Sequence, residues 1–255
     1  MEPSGYIIFI DDGGVMNDNL KRAPQWQRWV GELFARRYGG TPELWGEANR
    51  NIYMSVFEET IASLEKCPDK EYETFIAEYS RRWIEGMFST AGFTPPPRSE
   101  YEEIFNSTTR YVTPKVRAAF PGVIDSIRAL HGKGFTMYTA SGENSIELDG
   151  YITGMGVRDL FSGLYGMDLE NNWKWDDRFY RAIFRDVGIS TEHAIVVNND
   201  LKMLGNAREL GAHVIQVCQT GEHQPYFPYY LTLMGDLPQM VEMVIRENRS
   251  PRKEI

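Results

Sequence analysis

Tyr6-Ile7-Ile8-Phe9-Ile10-Asp11-Asp12-Gly13-Gly14-Val15 is the stretch on which the reading of this chain turns. Its apolar run is short and continuous, as suits a strand buried on both faces, and such strands belong to parallel sheets. The run ends at paired acids and paired glycines. That pairing predicts a loop with unusual backbone angles or close backbone approach. In an open parallel sheet, ligands bind beyond the carboxyl ends of the strands. Asp11 therefore stands where chemistry is expected.

Downstream, the texture changes twice. From about Leu20 to Thr113 there are no buried-strand runs, and helix formers and aromatics dominate. Trp26, Trp29, Val30, Leu33 and Phe34 recur at helical spacing, as do Ile76, Tyr79, Trp83 and Met87. Thr94-Pro95-Pro96-Pro97 separates two helical blocks. The aromatics of this stretch, Trp45, Tyr53, Phe57 and Phe75 among them, are expected to pack a helical core rather than form a ligand cage. After Pro114, strands alternate with helices. Strands are predicted at Phe135–Ala140, Phe161–Tyr165, Ala194–Val197 and His213–Cys218. Helices are predicted around Val123–Leu130, Phe179–Val187 and Leu201–Leu210, the last closed by Gly211 in a left-handed cap. Such alternation implies a parallel sheet with right-handed crossovers. The fold class is α/β: a Rossmann-like parallel core formed by 1–19 and 114–255, with an inserted α-helical domain at 20–113. Tyr226, Tyr229 and Tyr230, beside Pro225 and Pro228, are expected to form a packed loop. Asn248–Ile255 are expected to fray.

Three strand ends carry polar clusters: Asp11-Asp12-Gly13-Gly14, Ser141-Gly142 and Asn198-Asn199-Asp200. Lys174 precedes a helix between the last two. Each is weak alone. Ser141-Gly142 or Asn198-Asn199 could merely cap helices, and a single lysine is usually solvated. Together they supply a carboxylate nucleophile, a hydroxyl with an adjacent anion-holding backbone, and a cation to neutralise charge.

The order of these clusters resembles the haloacid dehalogenase superfamily. Its first motif is an apolar strand followed by Asp-x-Asp-Gly-Val. The match places Asp11 as nucleophile, Asp12 at the variable position, and Gly13 where a second Asp usually stands. Gly14-Val15 follow, with Asp18 at a common acid position. The second motif falls on Ser141, counted from Gly134, and the third on Lys174, here without its usual proline. The fourth, counted back from Ala207 and Gly211, falls on Asn198-Asn199 rather than an acidic pair. Phe120-Pro121-Gly122-Val123 resembles the family's re-entry into the core, and 20–113 lies where a helical cap that selects substrate occurs. The resemblance implies a hydrolase with Asp11, Ser141 and Lys174 as catalytic residues. Asp12, Ser141, Gly142, Lys174 and Asn198 would contact a small anionic substrate. Mg²⁺ would sit on Asp11, the Gly13 carbonyl, Asn199 and Asp200, phosphate-ester hydrolysis being the default reaction.

The departures open two alternatives. Gly13 cannot act as the general acid, and Asn-Asn-Asp falls where the metal-independent dehalogenating branch has Ser-Ser-Asn. That branch has a further acid where this chain has Met203. One alternative is therefore metal-independent C–X or C–P cleavage. The other is a member that binds a ligand or protein without turnover.

The bulk properties narrow the partners. A net charge of −9 argues against nucleic acid, and 42% hydrophobic with 25% charged residues is ordinary globular composition. Cys67 and Cys218 suggest no disulfide framework, and the four histidines make no metal-ligand spacing. No apolar run approaches the roughly 18–20 residues of a membrane span, and the first is too short for a signal peptide. A cytoplasmic protein is expected. Its oligomeric state is left open.

Overall fold

The computed structural model describes residues 5–66, 71–174, 176–221 and 224–249. Cys67, Trp175, the side chain of Phe57 and the tail beyond residue 249 lie outside the described residues; Asn248 still belongs to a helix. In chain order the elements are β1 (Ile7–Ile10), α1 (Asn19–Tyr38), α2 (Pro42–Lys66), α3 (Tyr72–Ala91), α4 (Tyr101–Val112) and α5 (Val123–Gly132). Then come β2 (Thr136–Ala140), α6 (Ser145–Gly154), β3 (Gly163–Tyr165), α7 (Met167–Glu170) and α8 (Asp177–Val187). The chain continues through β4 (Ala194–Asn198), α9 (Leu201–Glu209), β5 (His213–Val217), β6 (Tyr230–Leu231) and α10 (Leu237–Arg249). No helix among the described residues is long and apolar enough to cross a membrane.

All six strands are parallel, in the order β3-β2-β1-β4-β5-β6. This is a Rossmann-like α/β core. β1 lies between β2 and β4, with Ile10 in register with Thr139 and Val197. Ile8, Phe9 and Ile10 are fully buried, as is almost all of β4. Covering both faces of a parallel sheet is what turns its strands into unbroken apolar runs. The parallel register then brings the carboxyl ends of β1, β2 and β4 to one edge.

Two compact units emerge. One comprises Met1–Asn19, Ala118–Ser145 and Met155–Ile255; the other comprises Leu20–Arg117 and Ile146–Gly154. The helical unit thus takes in most of α6, which the sequence reading placed with the core. Trp26 Nε1 donates to Tyr151 Oη at 2.5 Å, and the Arg22 guanidinium lies over the Tyr151 ring. Those long-range contacts bind α6 to α1.

Aromatics fill the helical unit. Phe34, Trp45, Trp83 and Phe88 are almost completely buried, with ring centroids 5.0–6.1 Å apart for the packed pairs around Phe34 and Trp45. Trp45 Nε1 donates to Gly39 O, and Trp83 Nε1 to Asn49 Oδ1. Burying these rings needs close helices. At Gly31 of α1 a side-chain carbon would collide with the Pro42 carbonyl at the start of α2, and at Gly46 of α2 it would lie 3.0 Å from Gln27 O. Gly31→Ala is therefore expected to force the two helices apart, losing about 1–3 kcal/mol, the usual cost of overpacking. A urea unfolding midpoint equal to wild type would contradict this.

The sequence reading named none of α6, α7, β6 and α10. β6 forms within the stretch read as a packed tyrosine loop: Leu231 is buried and the short strand pairs with β5. α10 buries Leu237, Val241, Val244 and Ile245.

Candidate active site

Asp11 follows β1 directly, and its backbone N–H donates to Val197 O, so the ladder with β4 sets its position. The next residues make a tight loop in which Asp12 O accepts from the N–H groups of Val15, Met16 and Asn17. Gly14 has φ +79°, and a side-chain carbon there would collide with the Asn199 amide. Gln219 Nε2 donates to Val15 O at 2.7 Å and Gly14 O at 3.3 Å, tying the loop to the residues just after β5.

Three groups converge on one oxygen of Asp11. Lys174 Nζ lies 2.5 Å from Oδ1, Ser141 Oγ 2.7 Å from it, and the Asp12 backbone N–H donates to it at 2.8 Å. Ser141 leaves the end of β2, where its own N–H donates to Tyr165 O. Lys174 arrives from the segment between α7 and α8. A side-chain carbon at Gly142 would lie 3.6 Å from Lys174 Cδ, an ordinary packing distance that places the lysine alongside this loop. Asp11 is 3% exposed, Ser141 0% and Lys174 9%, which makes this a buried ion pair with a hydroxyl attached.

Glu143, which the sequence reading passed over, adds a second carboxylate. Ser141 Oγ lies 2.5 Å from Glu143 Oε2 as well as 2.7 Å from Asp11 Oδ1. A hydroxyl has one proton to give. Asp11 and Glu143 therefore compete for the one Ser141 proton. Burial lifts the Asp11 carboxyl above its ordinary range, Lys174 opposes the rise, and the Glu143 charge adds to it.

The other residues singled out in the sequence are placed less directly. Asp12 is fully buried, and its carboxylate accepts from Asn17 Nδ2 at 2.8 Å. Its side chain braces the loop. Asn198 is also fully buried; its Nδ2 donates to Tyr180 Oη at 3.4 Å and its Oδ1 accepts from the Asp200 N–H. That too is an internal role. Burial holds the Tyr180 phenol far above its ordinary range, so it stays neutral. Asp200 caps α9, its Oδ1 accepting from the N–H groups of Lys202 and Met203. The helix cap is thus Asp200 and not the asparagines before it.

These placements bear on Mg²⁺, which usually takes one or two carboxylates in a near-octahedral oxygen shell. Of the ligands the resemblance implied, Asp11 is already neutralised by Lys174, Asp200 is committed to a helix N-terminus, and Asn199 and the Gly13 carbonyl are uncharged. Among the described residues, no group of three or more His, Cys, Asp or Glu could hold a metal. With Asp11 held by Lys174 and Asp200 capping a helix, the donor set is a poor fit for a resident magnesium ion.

A family model described as haloacid dehalogenase-like hydrolase matches residues 47–217, more than half of the chain and all of it downstream of Asp11. No curated protein matches in sequence. Solved structures do match in fold. The 2-haloacid dehalogenase from Pseudomonas syringae pv. Tomato is 15% identical with a TM-score of 0.66, covering 94% of this chain and 99% of that one. The HAD-hydrolase YfnB from Bacillus subtilis, bound to magnesium, is 12% identical with a TM-score of 0.64, covering 94% and 100%. A HAD phosphatase from Thermococcus onnurineus is 12% identical with a TM-score of 0.56, covering 92% and 97%. At such identities the likeness is one of fold.

Proposed function

The chain belongs to the haloacid dehalogenase-like hydrolase family, and on that premise we propose that it hydrolyses a small anionic substrate through a covalent ester on Asp11. The observation that carries this reading is the buried Asp11–Lys174 pair with Ser141 on the same oxygen. A carboxylate is moved out of water at a cost. Burial raises its pKa and one lysine opposes that rise, which suits a desolvated nucleophile.

Two observations favour a carbon–halogen substrate over the phosphate ester that the family resemblance offers by default. Glycine at position 13 has no side chain to protonate a leaving group. Halide departs as a stable anion and needs no proton, whereas an alkoxide does. Charge points the same way. Two carboxylates, Asp11 and Glu143, sit on the one Ser141 hydroxyl, and the donor set fits magnesium poorly. A dianionic phosphate would add repulsion that a singly charged 2-haloacid largely avoids. In this reading Asp11 Oδ attacks the carbon bearing the halogen, a C–O bond forms, and the halide leaves with its electron pair. Lys174 and Ser141 hold the carboxylate for attack. Water then cleaves the ester, giving the hydroxyacid and a proton.

The test is a substrate panel of 2-haloacids, aryl phosphates and phosphonates, with and without a metal chelator. Halide release unchanged by chelation is the expected result. Phosphate release that chelation abolishes would return the protein to magnesium-dependent phosphatase chemistry. Complete inertness would favour a binding role.

A further inference from the structure

We infer that Glu143 is the acid–base residue of the Asp11 reaction, taking a proton from the water that cleaves the ester and returning it to the departing oxygen. This rests on the reading of Asp11 as nucleophile and concerns its second half.

That half needs a base. Gly13 and Met203 carry no side chain able to serve. Asp12 braces its own loop through Asn17, and Asp200 caps α9. Glu143 is the carboxylate that shares a hydroxyl with the nucleophile: Ser141 Oγ is 2.7 Å from Asp11 and 2.5 Å from Glu143. The pair is also graded in burial. Asp11 is 3% exposed, whereas Glu143 is only partly buried, so the second carboxylate is the more open of the two to water.

The loop carrying Glu143 is held in place. A side-chain carbon at Gly166 would come 2.5 Å from the Glu143 carbonyl, so this backbone approach requires glycine. Two residues on, the Ser145 N–H donates to Asp168 Oδ1 at 2.8 Å, and Ser145 Oγ donates to Asp168 Oδ2 at 2.5 Å. Glu143 is thus pinned from both sides by residues around the start of α7.

The chemistry follows from the shared proton. In the free enzyme two carboxyl groups compete across one hydroxyl. When Asp11 becomes an ester its charge is gone, so it no longer repels a charge on Glu143. It takes one proton from water as the hydroxide oxygen bonds to the Asp11 carboxyl carbon. The tetrahedral adduct collapses, the ester C–O bond breaks, and the substrate alkoxide receives the proton from Glu143. Asp11, now a carboxylic acid, loses its proton to solvent. One water is consumed; one alcohol, one halide and one proton are released.

Glu143→Gln, Glu143→Asp, Asp11→Asn and wild type should be compared in a rapid-quench assay with a 2-haloacid, together with intact-mass measurement. Glu143→Gln is expected to release one equivalent of halide per enzyme and then stall, with steady-state turnover reduced about 10²–10⁴-fold and the ester retained on Asp11. Glu143→Asp should recover part of the rate. A Glu143→Gln enzyme that turns over near the wild-type rate overturns the inference alone, as does one showing neither burst nor adduct. Wild type inert on haloacids, or Asp11→Asn as active as wild type, overturns the Asp11 reading and this inference with it.

Discussion

Asp11→Asn is expected to lose turnover on the order of 10⁶-fold, the scale seen when one member of a catalytic unit is removed. The amide keeps the size of the carboxylate, so the loop and the hydrogen bonds of Ser141 and Asp12 can persist. It removes the lone pair that attacks and the charge that Lys174 faces at 2.5 Å. No halide burst and no mass adduct should be seen. Steady-state halide release with single-turnover quenching checks this directly; residual turnover within a few-fold of wild type would mean the nucleophile lies elsewhere. Asp11→Ala run beside it guards against Asn reverting to Asp by deamidation.

Lys174→Met is the second large effect, and it acts on both rate and stability. Breaking a buried pair by removing one partner typically costs about 3–5 kcal/mol, because the other charge stays behind uncompensated. Here the charge left behind is Asp11, 3% exposed and already pushed above the usual carboxylate range chiefly by burial. Removing the lysine removes the main influence opposing that rise, so the carboxyl climbs further. An acid whose folded pKa is raised contributes stability that is fully present below its unfolded pKa and lost as pH rises through the folded value. Lys174→Met should therefore be closest to wild type in acid and fall behind as pH increases toward neutrality. Urea melts at a series of pH values from acid to neutral measure the gap; a gap that widens toward acid would contradict the sign. Activity should fall by about 10²–10³-fold, the scale for losing one electrostatic stabiliser. The loss should be least at alkaline pH, where Asp11 ionises even without its partner.

These predictions draw on a site that was partly legible in the sequence. An apolar strand ending in an acid, a serine after a second strand, and a lysine before a helix each follow from local pattern. The parallel register of β1, β2 and β4 then brings their ends together. The less legible residues are those whose meaning depends on a partner far away in the chain. Tyr180 looks like one more apolar position on the α8 face, yet its hydroxyl meets Asn198. Gln219 is one polar residue beside a turn, yet it holds the loop after Asp11. α6 is a short helix in a stretch of alternating α and β, yet its Tyr151 accepts from Trp26 of α1 and lies in the helical unit.

What the sequence determined by itself is the alternation of strands with helices in the core, the α/β class, and Asp11 at the end of the first strand. Periodicity and strand ends are local properties, and local properties are written in neighbouring residues. Tertiary structure decided which partner each polar group meets. It turned Asp12 and Asn198 inward, gave Asp200 to a helix N-terminus, and set Glu143 on the same hydroxyl as Asp11. A carboxylate looks the same in sequence whether it caps, braces or reacts. Only its distance to a hydroxyl 2.5 Å away, and that hydroxyl's 2.7 Å to Asp11, separates the three.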